Sequence, residues 1–105
     1  MRQQGRYLTS RLLILAWMPA DAGRSRVGFV VSKRISKLAV KRNLLKRLLS
    51  EAVRPLLPEL SGAWDIVISA RSEAANADLH TLQQDIVTLL RKARLLETAR
   101  RAEVE

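Results

Sequence analysis

Between positions 40 and 53 the apolar residues stand at Val40, Leu44, Leu45, Leu48, Leu49, Ala52 and Val53. That recurrence is the spacing of one face of an α-helix, and it constrains the fold more than any other feature of the chain. Pro55 closes the run, because it has no amide to donate and disfavours helical geometry at Arg54 before it. The helix is flanked by runs of a different period. Before it, RVGFVVS over 26–32 places Val27, Phe29 and Val31 on one side of a pleat; after it, WDIVISA over 64–70 reads the same way. The chain must therefore join helix and strands in one α/β unit.

A further strand is expected over 11–17, RLLILAW, followed by turn chemistry in MPADAGRSR. Strands 11–17 and 26–32 are close enough in sequence to form an antiparallel pair across that loop. Tyr7 and Leu8 can add a short leading strand. At the other end Leu79, Leu82, Ile86, Leu89, Leu90, Ala93 and Leu96 define a second helix over 78–97, with Asn76 or Asp78 placed to cap it. Residues 98–105, TARRAEVE, offer no apolar face and are expected to form a disordered tail. The reading is one α/β domain over 1–97, ordered strand, strand, helix, strand, helix; 105 residues leave no room for a second core.

Charge narrows the partner. Nineteen Lys and Arg against ten Asp and Glu give a formal charge of +9, a field that attracts nucleic acid, anionic membrane or acidic protein. The absence of cysteine excludes disulfide frameworks, thiolate zinc sites and cysteine nucleophiles. The longest apolar run, 12–19, is too short to span a bilayer, and the expected location is the cytoplasm.

The cations concentrate on the first helix. Arg42, Asn43, Lys46, Arg47, Ser50 and Arg54 fall in one arc roughly 140° wide at the helical step, opposite a leucine seam of 44, 45, 48 and 49, with Lys41 and Val53 as exceptions. Like charges at i and i+4, such as Arg42 and Lys46, destabilise a helix by roughly a few tenths of a kcal/mol. Lys33, Arg34 and Lys37 lie just upstream, with Arg24 and Arg26 before them. A merely solvated face would intersperse both signs; this one fits phosphate neutralisation on a nucleic acid. Membrane binding is disfavoured because the apolar half of the helix is needed to cover the sheet.

Other chemistry-bearing residues read more simply. His80 near Asp78 and Glu73 has no metal-ligand spacing and is expected to be exposed or to take a capping role. Asp65, at a strand start, has no nucleophile at a recognisable distance in sequence and is expected to bind backbone amides or a cation. Trp64 is expected to pack, whereas Trp17 is open to packing or base stacking.

The stretch RVGFVVSKRISKLAVKRNLLKRLLSEAVR, with WDIVISAR after a proline-rich turn, resembles the bacterial ribonuclease P protein subunit over about residues 5–96. Arg42, Asn43, Lys46 and Arg47 match the family's basic motif, Leu44 stands where a second arginine is usual, and Ser50 occupies a commonly basic position. The turn ISKLAV lacks an expected glycine. The family's amino-terminal helix, with its cleft-walling phenylalanine, would precede Met1, which implies a misassigned start or a reduced cleft.

The resemblance implies a two-layer α/β sandwich: a small mixed sheet, two main helices and a left-handed βαβ crossover, similar to a domain of a small-subunit ribosomal protein. It implies a non-catalytic subunit that assists removal of the 5′ leader from precursor tRNA, with Mg2+ bound mainly by the ribonuclease P RNA subunit. No membrane and no obligate protein partner are implied. By position, Lys33, Arg34, Lys37, Lys41, Arg42, Asn43, Lys46, Arg47 and Arg54 would contact RNA, and Ile14 and Ala16 would floor the leader groove. The alternatives are a ribosomal or assembly-type protein that binds structured RNA, and a self-contained nuclease, against which the missing acid, histidine and metal constellation argues.

Overall fold

The computed structural model describes residues 5–21 and 23–96. Strands β1 (Arg6–Thr9), β2 (Leu13–Pro19) and β3 (Arg26–Val30) precede helix α1 (Ala39–Val53). A 3-10 segment, Arg54–Glu59, leads to β4 (Trp64–Ala70), then to α2 (Leu79–Lys92). The expected leading strand is present as β1; the tail expected over 98–105 lies outside the described residues.

The four strands form one sheet in the order β1-β2-β4-β3, with β4 antiparallel to β2 and parallel to β3. This corrects the expected pairing of the second and third strands, between which β4 is inserted. Its sequence carries the reason. Ile66 and Ile68 are buried on one face while Val67 faces the other way, an apolar run characteristic of a central strand. In the centre β4 gains a partner on each side, which a β2–β3 hairpin would have denied it.

Both helices cover one face. Leu13 and Leu15 of β2 and Ile66 and Ile68 of β4 meet Leu45 and Leu49 of α1 and Leu82 and Ile86 of α2 in one continuous core. Gln83 Nε2 donates to the Ala52 carbonyl at 3.0 Å and ties the two helices together. Ser10 organises the opposite end. Its Oγ accepts from the Leu13 amide at 2.9 Å and binds Asp85 on α2, while its carbonyl accepts from Arg71 Nη1 at 2.7 Å.

At the start of α2 the choice between two caps resolves to Asp78, whose Oδ1 accepts from the Thr81 amide at 2.9 Å. The helix stops at Lys92, short of the expected 97. Continued helically, Leu95 would point about 200° away from the buried face at the helical step. Instead Arg94 adopts φ 63°, the Leu95 amide bonds the Leu90 carbonyl, and both Leu95 and Leu96 are buried. Leu96 then pairs with Leu60 as a short antiparallel bridge.

Candidate nucleic-acid interface

The loop before α1 is shaped by two serines. Ser32 Oγ accepts from the Arg34 amide and Ser36 Oγ from the Leu38 amide, each at 3.2 Å, and half-buried Ile35 packs against the core. Lys33, Arg34 and Lys37 are consequently exposed. Short serine turns of this kind hold the backbone without secondary structure, and no periodicity in the sequence announces them.

Helix α1 begins on Leu38, whose side chain cannot cap it. Arg42 is half-buried and its Nη1 donates to the Ser36 carbonyl at 2.9 Å. This residue therefore latches the loop to the helix while retaining guanidinium donors for a ligand. Lys41, Asn43, Lys46, Arg47 and Arg54 are exposed. None of the exposed cations of the loop or helix is paired with an acid among the described residues, and Arg47 makes no ion pair with Glu51 four positions on.

The seam of α1 differs from expectation. Leu45, Leu49, Ala52 and Val53 are its buried residues, whereas Leu44 is 54% and Val40 79% exposed. Ser50 is half-buried. The helix is rotated by roughly half a residue step from the predicted orientation, because its inner face must meet both the sheet and α2. The outward line thus runs Val40, Asn43, Leu44, Arg47, Glu51 and Arg54, with apolar groups among the cations.

A second surface is the sheet face that neither helix covers. Ile14 and Ala16 point there, as their alternation with buried Leu13 and Leu15 predicts. Strand register sets Tyr7, Ala16, Val67 and Gly28 in one row and Thr9, Ile14, Ser69 and Val30 in the next. A hollow of about 300 Å³ is lined by Tyr7, Ala16, Met18 and Val67 among others. Ala16 borders it and Ile14 does not. Tyr7, 71% exposed, and Val67 were missed as surface residues; the signal was their place opposite the buried period of two.

Arg26 and Asp65 close one end of this face with a two-pronged ion pair, Nε to Oδ1 at 3.1 Å and Nη2 to Oδ2 at 3.2 Å. The bond to Asp65 raises the already high Arg26 pKa further. Asp65 thus takes the structural role expected for it. Trp64 packs against the core and donates Nε1 to the Ser61 carbonyl at 2.8 Å; Trp17 also packs, at half burial. His80 is exposed. Among the described residues no three His, Cys, Asp or Glu side chains come together in a metal-binding group, so these residues do not fit a magnesium site. Nor, among them, is any helix long and apolar enough to cross a membrane.

The family model for ribonuclease P matches residues 1–94. The chain belongs to the ribonuclease P protein family. It is 47% identical over 97 residues to the ribonuclease P protein component of Chloroflexus aurantiacus, covering 91% of this chain and 71% of that one. The Caldanaerobacter subterraneus ribonuclease P protein component is 40% identical over 97 residues, covering 92% and 83%. Among solved structures, the Staphylococcus aureus RNase P protein aligns with a TM-score of 0.79 at 24% identity over 90% of this chain and 86% of that one. The Thermotoga maritima RNase P protein gives 0.76 at 24% over 86% and 84%. These two likenesses establish the fold, a small α/β unit with a four-stranded mixed sheet and two helices. Ribonuclease P is a tRNA-processing ribonucleoprotein enzyme, and this chain is its protein component, with an RNA subunit as partner.

Proposed function

We propose that the two surfaces divide the work of ribonuclease P between two RNAs. The exposed cations Lys33, Arg34, Lys37, Lys41, Lys46, Arg47 and Arg54, with Asn43 and the free donors of Arg42, hold phosphates of the RNA subunit. The uncovered sheet face, floored by Ile14 and Ala16 and edged by Tyr7, takes the single-stranded 5′ leader of precursor tRNA. The Mg2+ ions of the reaction are held by the RNA subunit, and this chain contributes position and charge.

The observation that carries this reading is that, among the described residues, no ion pair joins an acid to the exposed cations of α1 and its leading loop. Like charges left unpaired within a fold are relieved when phosphates displace their counterions. The uncovered face is suited differently: an exposed tyrosine and apolar floor offer stacking and contact to unpaired bases, which structured duplex would not present.

The decisive experiment combines purified protein with bacterial ribonuclease P RNA and precursor tRNA at low magnesium. Cleavage at the 5′ maturation site should rise with protein, and the assembled enzyme should bind precursor tRNA more tightly than mature tRNA. Cleavage no better than with RNA alone rejects the proposal; cleavage by protein without RNA establishes the nuclease alternative.

A further inference from the structure

Beside the outward cations of α1 lies a recess of about 250 Å³, lined by Lys41, Leu44, Leu45, Leu48, Asn76 and Ala77, with Ala75 at its edge. It sits between the helix and the turn that leads into α2. Leucine and alanine side chains make most of its wall, Lys41 is an exposed lining residue, and Asn76 is exposed with a side chain that makes no hydrogen bond within the described residues. Leu44 and Val40, one helical turn apart and both more than half exposed, continue the apolar wall outward along the same helix. Apolar side chains among the exposed cations add nothing to the holding of a phosphate.

We infer that this recess holds one unpaired nucleobase of the RNA subunit, gripped by Leu44 and Leu48, read at its edge by Asn76, and anchored through its phosphate by Lys41. The inference rests on α1 facing the RNA subunit and deepens that reading. Three features select a base. The volume, about 250 Å³, lies just below the roughly 300–1,000 Å³ usual for cofactor sites and leaves room for one small group such as a base. The aliphatic walls suit the flat faces of a splayed-out base, and a side-chain amide both donates and accepts along its polar edge. The single lining cation complements the one phosphate that must accompany that base. A second copy of this chain would bring its own +9 charge against the same cations.

The test is base-specific chemical alkylation of a bacterial ribonuclease P RNA transcript, with and without saturating protein, for the wild type, Leu44→Ala and Asn76→Ala. Thermal melts establish that the variants fold. The wild type should shield the pairing edge of one or two unpaired bases, and each variant should restore their reactivity. Each variant should also weaken RNA binding by about 5-fold or more, from the lower end of what one stacked base contributes, with an unchanged salt slope because the same phosphates stay neutralised. Variants that shield the same bases as the wild type, or a wild type that shields none while binding tightly, overturn the inference and leave the RNA-subunit reading standing. A wild type that shows no saturable RNA binding overturns that reading and the recess with it. Self-association of the wild type that Leu44→Ala abolishes, with base reactivities unchanged, assigns the recess to a second copy instead.

Discussion

The two helices pack against the same sheet but are built to different standards. Helix α2 has an aspartate cap, two cations in its last turn and a left-handed residue two positions after its end, each device satisfying an orphan backbone group or the helix dipole. Helix α1 has a leucine at its cap position, no acid in its first turn and no cation in its last. It also exposes Val40 and Leu44, and among the described residues its cations make no ion pair. A helix so lightly provided for locally is held by its buried face and by Arg42. The difference teaches where stability resides in this fold: α2 is specified by local devices as well as by its core, whereas α1 depends on its core contacts and, in the proposed function, offers its outward face to RNA.

The largest effect should separate the two faces of α1. Leu49 is fully buried and Leu44 is not. Leu49→Ala should cost about 2–5 kcal/mol of unfolding free energy through reduced burial and a residual cavity, whereas Leu44→Ala should change stability by less than about 0.5 kcal/mol. Urea denaturation of both variants provides the measurement. Similar costs at the two positions would mean that α1 is not divided in this way.

Next in size is the charge contribution. Replacing Lys46 and Arg47 together by alanine should leave the urea midpoint nearly unchanged, since both are exposed and neither makes an ion pair among the described residues, and should weaken RNA-subunit binding. The slope of log affinity against log salt should flatten by about 0.7 to 0.9 for each phosphate no longer neutralised. A matching pair in α2, Arg91 and Lys92, serves as the comparison: both are exposed in its last turn, and their removal should lower helix stability more than RNA affinity. Equal salt slopes for the two double variants would dissolve the functional distinction between the helices.

How legible this was in the sequence depended on the range of the interaction. The two helices, the flanking strands and the facing of Ile14 and Ala16 were legible because each follows from a local period. The position of β4 between β2 and β3 was not, because adjacency in sequence favours the short hairpin and nothing local marks an inserted partner. The end of α2 was misplaced for a related reason: Leu96 keeps helical spacing, but only the unfavourable direction of Leu95 shows that the chain must turn. The residues of the basic surface were legible as a set, while the rotation of α1 and the latch from Arg42 to the Ser36 carbonyl depend on tertiary packing. The recess at Asn76 joins elements more than thirty positions apart, and no spacing rule reports it.

A smaller effect should follow from giving α1 what α2 already has. Leu38→Asp places a capping carboxylate at the α1 amino terminus and should stabilise the protein by about 1 kcal/mol. The same carboxylate stands in sequence between Lys37 and Lys41, so RNA binding should fall below that of the wild type most at low salt, and the gap should narrow at high salt as the repulsion is screened. Stabilisation with undiminished RNA affinity would show that the missing cap has no connection with the ligand.

The smallest expected effect is a pH dependence confined to α2. The Thr81 amide, by hydrogen bonding the Asp78 carboxylate, holds its pKa below the ordinary aspartate value, with the nearby His80 a lesser influence in the same direction. Because the folded value is the lower one, the linked stabilisation is fully present above the unfolded aspartate pKa, near 4, and is lost as the pH falls through the folded value. Asp78→Asn keeps a capping oxygen that does not titrate. The difference in melting temperature between wild type and Asp78→Asn should therefore be constant from neutral pH down to about 5 and shift against the wild type below about 4. Wild-type α1 has no acid at its cap or in its first turn and cannot contribute such a term, but Leu38→Asp should create a second one. In that variant the difference measured against Leu38→Asn should acquire the same sign of acid dependence, reduced or enlarged by the field of the surrounding lysines. An acid response in Asp78→Asn as large as in the wild type would place the titrating group elsewhere and remove the capping contrast between the helices.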